Sequence, residues 1–229
     1  MLSQTMTRSS SRHAAGHVPH PIAEMNSHSL GTSIELVGAS MPFARNAEIY
    51  GENEPAEYLY KVVSGSVRTY KVLNDGRRQI GAFYLPGDVF GLEVGDAHTF
   101  SAEAIVNSKV LVIKRSTLVS LAARDNETAR KLWTMTAGEL QRVQAHILLL
   151  IKTAQERVAG FLLEMAARVP VGNEIDLPMS RQDIADYLGL TIETVSRTLT
   201  QLENTAAIAV PSSRRIVLRN RAALNRLNA

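Results

Sequence analysis

The sequence predicts an α+β fold built from an N-terminal antiparallel β-roll, a long helix and a C-terminal winged helix-turn-helix. Three observations predict it. Residues 35–116 consist of short β-forming runs separated by turn residues. Apolar residues then recur four and three positions apart over residues 126–153, the spacing of a helix that packs on a partner. Two amphipathic helical stretches meet at Gly189, and two short strand-like runs follow them.

The β-rich region, assigned to residues 31–124, has four clear strand candidates. They are residues 58–63, 66–72, 79–84 and 110–113. Turn residues separate them at Gly65, residues 74–76 and residues 86–88. Several short strands with close turns are typical of a small antiparallel roll or barrel.

The long helix, assigned to residues 125–154, has the seam of a two-stranded coiled coil. The seam residues are Thr136, Leu140, Val143, Ile147, Leu150 and Ala154. Leu148, Leu149 and Ile151 widen the apolar stripe, so that one edge can pack on the β-roll and the other on a second copy. We therefore predict a homodimer whose main contacts are Leu140, Val143, Ile147 and Leu150. A helix buried within one chain shows the same short pattern, and this alternative stays open.

The C-terminal domain, assigned to residues 155–229, opens with an amphipathic helix and continues with two helices joined by a tight turn. The inward residues of the opening helix are Val158, Phe161, Leu162, Met165 and Ala166. The first helix of the pair has Ile184, Ala185 and Leu188 on one face. Gly189 follows at the turn, where glycine adopts a positive φ at little cost.

The second helix of the pair begins after Thr191, which is a good N-cap residue. A capping box is not expected, because Thr194 occupies the position of its Glu. Val195, Leu199 and Leu202 recur at helical spacing and form the buried face.

Four residues of the second helix then point away from the buried face: Ile192, Glu193, Ser196 and Arg197. A carboxylate accepts from cytosine N4, a guanidinium forks onto guanine O6 and N7, and an apolar side chain can touch a thymine methyl group. We assign these four residues to DNA bases. An ordinary αα-hairpin in a core is the alternative, but such a hairpin has no use for these polar groups.

A β-wing is expected beside the helix pair, from strands at residues 208–210 and 216–218 joined by a turn at residues 211–213. Basic residues at the wing and at the edges of the helix pair would lie near the DNA backbone. The residues assigned to phosphates are Arg181, Thr191, Arg214 and Arg215.

The run DIADYLGLTIETVSRTL resembles the DNA-binding domain of the Crp/Fnr superfamily, and is most similar to its FixK-type branch. The resemblance covers residues 40–220, and LPGDVFG at residues 85–91 matches the glycine-bearing turn of the family's effector domain. It implies a double-stranded β-helix, or jelly roll, for the β-roll, and a homodimeric activator that works with RNA polymerase. In the family the E-x-x-S-R pattern, here residues 193–197, reads a TTGA-like half-site within an inverted repeat. One departure is Thr198, where helix-turn-helix sequences usually have a larger aliphatic residue.

The cyclic-nucleotide site of the family is not expected in this chain. Members that bind the nucleotide have a Glu for the ribose and an Arg-Ser/Thr pair for the phosphate, whereas residues 89–109 contain no arginine. A buried phosphate without such a partner would cost several kcal/mol. His98 is the one candidate substitute, and we expect a histidine in such a loop to be solvated. We therefore predict no cyclic nucleotide and no other cofactor.

Composition excludes several classes of protein. The 229 residues include no cysteine, which excludes disulfides, thiolate metal sites and a cysteine-ligated iron–sulfur cluster. FixK-type relatives can have a redox-sensitive cysteine near the start of the helix-turn-helix, and Ser180 stands at about that place here. The net charge of +3 is too small to indicate DNA binding by itself, so the indication must come from the local placement of arginines. Without an apolar run of the ~20 residues that cross a bilayer, we expect a soluble, cytoplasmic protein with no membrane partner.

Residues 1–30 are rich in Ser, Thr and His and are predicted to be a disordered leader. A metal site there would use His13, His17, His20 and His28. The leader has no cysteine or carboxylate cluster to complete such a site, so none is predicted. An organelle transit peptide shares this acid-poor composition, but the remainder of the chain is bacterial in type.

Three classes of function remain to be compared: a transcription regulator that needs no effector, a regulator gated by a small molecule other than a cyclic nucleotide, and an enzyme. Walker, HExxH and nucleophile motifs are absent from the sequence, so we predict no enzyme. The first class is our main prediction, and the second stays open.

Overall fold

The computed structural model describes residues 37–168 and 172–228. The predicted leader, with its four histidines, lies outside these residues. Over the described residues, no group of His, Asp or Glu side chains could hold a metal ion, and no helix is long and apolar enough to cross a membrane.

The N-terminal domain is a roll of two four-stranded antiparallel sheets, ordered β1-β8-β3-β6 and β2-β7-β4-β5. The strands are β1 (Ala39–Phe43), β2 (Glu48–Tyr50), β3 (Tyr58–Ser64), β4 (Val67–Val72), β5 (Arg78–Tyr84), β6 (Val89–Phe90), β7 (Ser101–Ala104) and β8 (Ser108–Lys114). All four strand candidates are found, with bounds that differ by a few residues at most. The four strands that were not predicted are short or contain small and polar residues. Their formation depends on pairing with strands that are distant in the sequence.

An aromatic cluster fills the space between the two sheets. The rings of Tyr60 and Phe90 stack with their centroids 5.1 Å apart, and Tyr50 packs on both. Val62, Val67, Tyr84, Ala102 and Val110 complete this core. Tyr60 and Val62, two positions apart on β3, both face this core, as the period of a β-strand requires.

Helices and a small sheet follow the β-roll in the described residues. The helices are α1 (Arg115–Ala122), α2 (Asn126–Leu150), α3 (Ala154–Arg168), α4 (Arg181–Leu188), α5 (Ile192–Asn204) and α6 (Arg221–Asn228). Strands β9 (Glu174–Asp176), β10 (Ile208–Ala209) and β11 (Arg215–Leu218) form an antiparallel sheet ordered β10-β11-β9. The wing is therefore confirmed, although β9, which borders it, was not predicted.

The long helix α2 is shorter at its end than the sequence suggested. It begins after Asp125, whose side chain accepts hydrogen bonds from the backbone N–H groups of Glu127 and Thr128. It ends at Leu150, so that Ala154 belongs to α3 and not to the seam. The cause is local: the Glu156 carboxylate accepts from both the backbone N–H and the hydroxyl of Thr153, a cap that starts a new helix.

The β-roll and the C-terminal domain share one core. Ile80, Phe83 and Ile105 of the roll belong to the same buried cluster as the apolar residues of α3, α4 and α5. Tyr187 of α4 contacts the ring of Phe83 and stacks on His146 of α2. The two domains are therefore held together by apolar packing.

His98 is buried, so the expectation that it is solvated was wrong. Only 1% of the residue is exposed, and its ring stacks on Tyr50 at a centroid distance of 3.6 Å. Neither ring nitrogen has a hydrogen-bond partner among the described residues, and Nδ1 lies 3.6 Å from the Glu93 carboxylate. Burial lowers the pKa of His98 and outweighs the opposite effect of Glu93.

Acidification is expected to destabilise the fold partly through His98. Since its pKa is lower in the folded protein, the unfolded chain binds more protons below about pH 6.5, and stability falls as pH decreases through that value. His98→Phe keeps the stacking and removes the titration. Thermal unfolding at pH 7.5 and 5.5 should therefore give a smaller loss of Tm in the variant; equal losses would contradict the prediction.

Candidate nucleic-acid interface

The two helices of the helix-turn-helix are set by local caps. Ser180 is the N-cap of α4: its hydroxyl accepts from the Asp183 backbone N–H, and the Asp183 carboxylate accepts from the Ser180 backbone N–H, a full capping box. Gly189 ends α4 with φ of 61°, in the left-handed region. The backbone N–H of Leu190 then donates to the Ala185 carbonyl, which closes the turn.

The recognition helix α5 begins as predicted. The Thr191 side chain accepts from the Thr194 backbone N–H, and no capping box forms. Val195, Leu199 and Leu202 are buried, as the helical spacing indicated. Thr198 is buried beside them, so that a small polar side chain occupies a place where helix-turn-helix sequences usually have a larger aliphatic one.

The four residues assigned to bases lie together on the outer face of α5. Ile192 has 36% of its surface exposed, and Glu193 and Arg197 are also exposed. Ser196 is only half-buried, and its hydroxyl accepts from a guanidinium nitrogen of Arg181 at 3.4 Å. The arrangement presents one carboxylate, one guanidinium and one apolar group within the first two turns of the helix.

Glu193 is held in its charged form. Its own backbone N–H and the Thr191 hydroxyl lower the pKa of the Glu193 carboxyl, as does the charge of Arg197. A carboxylate at a helix N-terminus is also favoured by the helix dipole. Glu193 can therefore accept hydrogen bonds from a base at neutral pH.

The residues assigned to phosphates differ in their surroundings. Thr191 caps α5 with its hydroxyl, Arg181 crosses to Ser196, and Arg214 is exposed in the turn before β11. Arg215 already forms ion pairs within the protein, because its Nε lies 2.8 Å from Glu174 and 3.4 Å from Asp176. These two carboxylates come from β9, which the sequence analysis missed; the alternation of residues 174–176 was the only signal.

The residues assigned to the dimer lie along one face of α2. Leu140, Val143 and Ile147 are exposed, whereas Leu150 is half-buried. Trp133 was not predicted as part of this face; it stands seven residues before Leu140 and is 73% exposed. A spacing of seven puts both on the same face of a coiled-coil helix, so the heptad period contained this signal.

A cavity of about 420 Å³ lies between the β-roll and this face of α2. Its wall is mostly apolar and aromatic, and includes Tyr84, Phe90, Val143 and Ile147. Glu93 and Glu139 provide negative charge, and none of the described lining residues is Lys or Arg. The cavity therefore offers a phosphate no Lys or Arg, and burial lowers the pKa of His146, its one histidine among the described residues.

Comparison with known proteins agrees with this architecture. Residues 156–227 match the model of the Crp-like helix-turn-helix domain, and residues 40–125 match that of the cyclic nucleotide-binding domain. Over 202 residues the chain is 54% identical to the nitrogen fixation regulation protein FixK of Azorhizobium caulinodans, covering 86% of this chain and 82% of that protein. The chain is a FixK-type regulator of the Crp/Fnr family.

Other relatives support the same assignment of this FixK-type regulator. FixK of Rhizobium meliloti is 41% identical over 181 residues, covering 79% of this chain and 82% of that protein. The solved structure of FixK2 from Bradyrhizobium japonicum has a TM-score of 0.81 and 57% identity, covering 84% of this chain and 98% of that one. The predicted fold and family are therefore confirmed, and the chain is a DNA-binding transcription regulator. Its relatives are regulators and not enzymes.

Proposed function

We propose that this FixK-type regulator is a homodimeric activator that reads a TTGA-like inverted repeat and needs no cyclic nucleotide. The observation that carries the proposal is the exposed pair of Glu193 and Arg197 in the first two turns of α5, with complementary hydrogen-bonding groups for base edges. An activator of this kind contacts RNA polymerase and works in the cytoplasm, where the DNA lies.

Selection from a random pool of duplex DNA tests the sequence preference. We expect the bound fraction to be enriched in an inverted repeat of TTGA-like half-sites, centred about one helical turn apart, because each recognition helix of a two-fold dimer enters one major groove. A control selection with Arg197→Ala should lose the preference at one base pair of each half-site. Enrichment of single, unpaired sites would contradict the proposed dimeric reading.

Cyclic nucleotides should change neither stability nor DNA binding. Cyclic AMP or cyclic GMP at millimolar concentration is expected to leave Tm and operator affinity unchanged, because a ligand without affinity for the native state cannot stabilise it. Supporting this, residues 89–109 have no arginine and the cavity has two carboxylates in its wall. AMP at the same concentration controls for ionic strength. A rise of Tm that increases with cyclic nucleotide and not with AMP would refute the prediction.

The cavity favours one second candidate, a regulator gated by a small molecule that is neutral or cationic. The observation behind it is that Val143 and Ile147 border both the cavity and the proposed dimer face, so that a ligand there would touch the seam. Calorimetric titration with fractions of a metabolite extract distinguishes the two. Saturable binding that also changes DNA affinity favours gating, whereas heats of dilution alone favour the regulator without effector.

A further inference from the structure

One carboxylate joins the helix-turn-helix to the β-roll. Asp183 of α4 is 3% exposed, and its Oδ1 accepts from Arg68 Nη1 at 3.0 Å and from Arg78 Nη2 at 2.6 Å. Its Oδ2 accepts from the backbone N–H and the hydroxyl of Ser180, at 2.9 and 2.8 Å. Thus the residue that completes the capping box of α4 also binds two arginines of the roll.

Two further hydrogen bonds continue this network, one along α4 and one within the roll. Arg78 Nε donates to Asp186, one turn along α4, at 2.8 Å, and Arg68 Nη2 donates to Glu103 at 2.7 Å. Burial alone would lower the pKa of Arg78, but Asp186 and Asp183 outweigh it and raise the pKa. We call Arg68, Arg78, Asp183 and Asp186 the arginine clamp.

The clamp restricts the relative orientation of α4 and the roll more than it adds to the stability of their contact. Apolar packing of Ile80 and Phe83 already joins the domains. Removing two charges from water costs free energy, and their mutual attraction can fail to repay that cost. Buried ion pairs therefore add little net stability compared with apolar contacts. Guanidinium and carboxylate groups bind in fixed geometries, however, so the clamp restricts the angle at which α4 meets the roll.

The clamp does not cover the reading face of the helix pair. With all its bonds formed, Glu193 and Arg197 remain exposed, although Arg78 and Asp186 border the same groove as Glu193. Arg181 of α4 also donates a hydrogen bond to the Ser196 hydroxyl of α5, which links the two helices. The closed clamp is therefore compatible with access to DNA.

A second carboxylate continues the connection to the proposed dimer helix. Asp88, in the turn after β5, accepts from Arg142 of α2 at 2.9 Å and also from Arg168 of α3. The roll is thereby fixed to α2 at one end of β5 and to α4 at the other. In a dimer formed through α2, both attachments would therefore lie between the dimer axis and the recognition helix.

We propose that Arg68 and Arg78 are positioning residues that set the distance between the two recognition helices, and so the half-site spacing that the dimer accepts. The proposal rests on the dimeric function proposed above. It predicts that a loosened clamp tolerates wrong spacings, because each helix-turn-helix can then tilt to reach its half-site.

The test measures the affinity of wild type, Arg68→Met, Arg78→Met and the double variant for four duplexes. These contain the selected inverted repeat, the same repeat with one base pair added to or removed from its centre, and a single half-site. We expect the variants to lose affinity for the correct spacing and to keep that for the half-site. The preference for correct over altered spacing should shrink roughly tenfold in the double variant, the size of a coupling between contacting groups.

The matched control is Arg77→Met, which removes a neighbouring arginine that pairs only with Asp75 of its own hairpin among the contacts described. It should leave the spacing preference unchanged. A variant that is merely less stable lowers the active fraction on every duplex and leaves the ratio between duplexes intact. If the double variant does not fold, Asp186→Asn removes one bond of the clamp and should still reduce the preference.

The outcomes separate the two proposals. A wild-type protein that binds the inverted repeat no better than the half-site overturns the dimeric function. A wild type that prefers the correct spacing, with clamp variants that discriminate as sharply, overturns the positioning role and leaves the function standing.

Discussion

Ile147→Asp is expected to convert the protein into monomers and to abolish binding to the inverted repeat. Ile147 is 57% exposed on the outer face of α2, at the centre of the seam, so two-fold symmetry would bring the two carboxylates into the same interface. Burying like charges costs several kcal/mol, and a cost of about 4 kcal/mol raises the dimer Kd roughly thousandfold. Sedimentation velocity measures the change directly.

The single tryptophan provides a second measurement. Trp133 is exposed in the protomer and lies two heptads before Ile147, so the dimer should bury it and the variant should release it to water. Its fluorescence should shift to longer wavelength in Ile147→Asp. Gln141→Asp is the matched control, because Gln141 is exposed on α2 but off the seam. If Ile147→Asp sediments as a dimer, as the wild type is expected to, the seam on α2 is not the dimer interface.

Arg197→Ala is expected to cost about 1–3 kcal/mol on the cognate site and to flatten discrimination at one base pair. The exposed guanidinium of Arg197 has the fork that guanine O6 and N7 require, and alanine leaves those acceptors without a partner. Arg214→Ala provides the comparison. As a phosphate contact, Arg214 should affect all sequences alike and lessen the salt slope by about one. Competition binding against cognate and random DNA at several salt concentrations distinguishes the two.

In the same assay, Glu193→Ala is expected to change specificity and nonspecific affinity in different ways. Because a carboxylate near phosphates is repelled unless a base donor compensates for it, its removal should relax specificity and leave nonspecific affinity equal or tighter. The exposure and ionised state of Glu193 support this expectation. Equal losses on cognate and random DNA would mean that the recognition helix is oriented differently.

The helix-turn-helix was predictable almost residue by residue, because its signals are local. Thr191 caps a helix, Gly189 permits a left-handed turn, and Val195, Leu199 and Leu202 share one face whatever surrounds them. The Ser180 capping box was a local signal too, and it was overlooked. Strands with strong β-forming residues were predictable for a similar reason, since β propensity and alternation are read along the chain.

Tertiary structure alone decided the features that depend on distant partners. His98 looks like a loop residue in sequence, yet Tyr50, almost fifty positions away, provides a ring on which it is buried. Strand β9 exists because β11 pairs with it, and the pair gives Arg215 two carboxylate partners. Arg78 and Asp183 are 105 positions apart, and no spacing along the chain relates them. The sequence alone was enough to predict which helix is the recognition helix. Where the helix pair attaches to the β-roll was settled by the packing of the roll against α4, because long-range contacts arise only when both partners are folded.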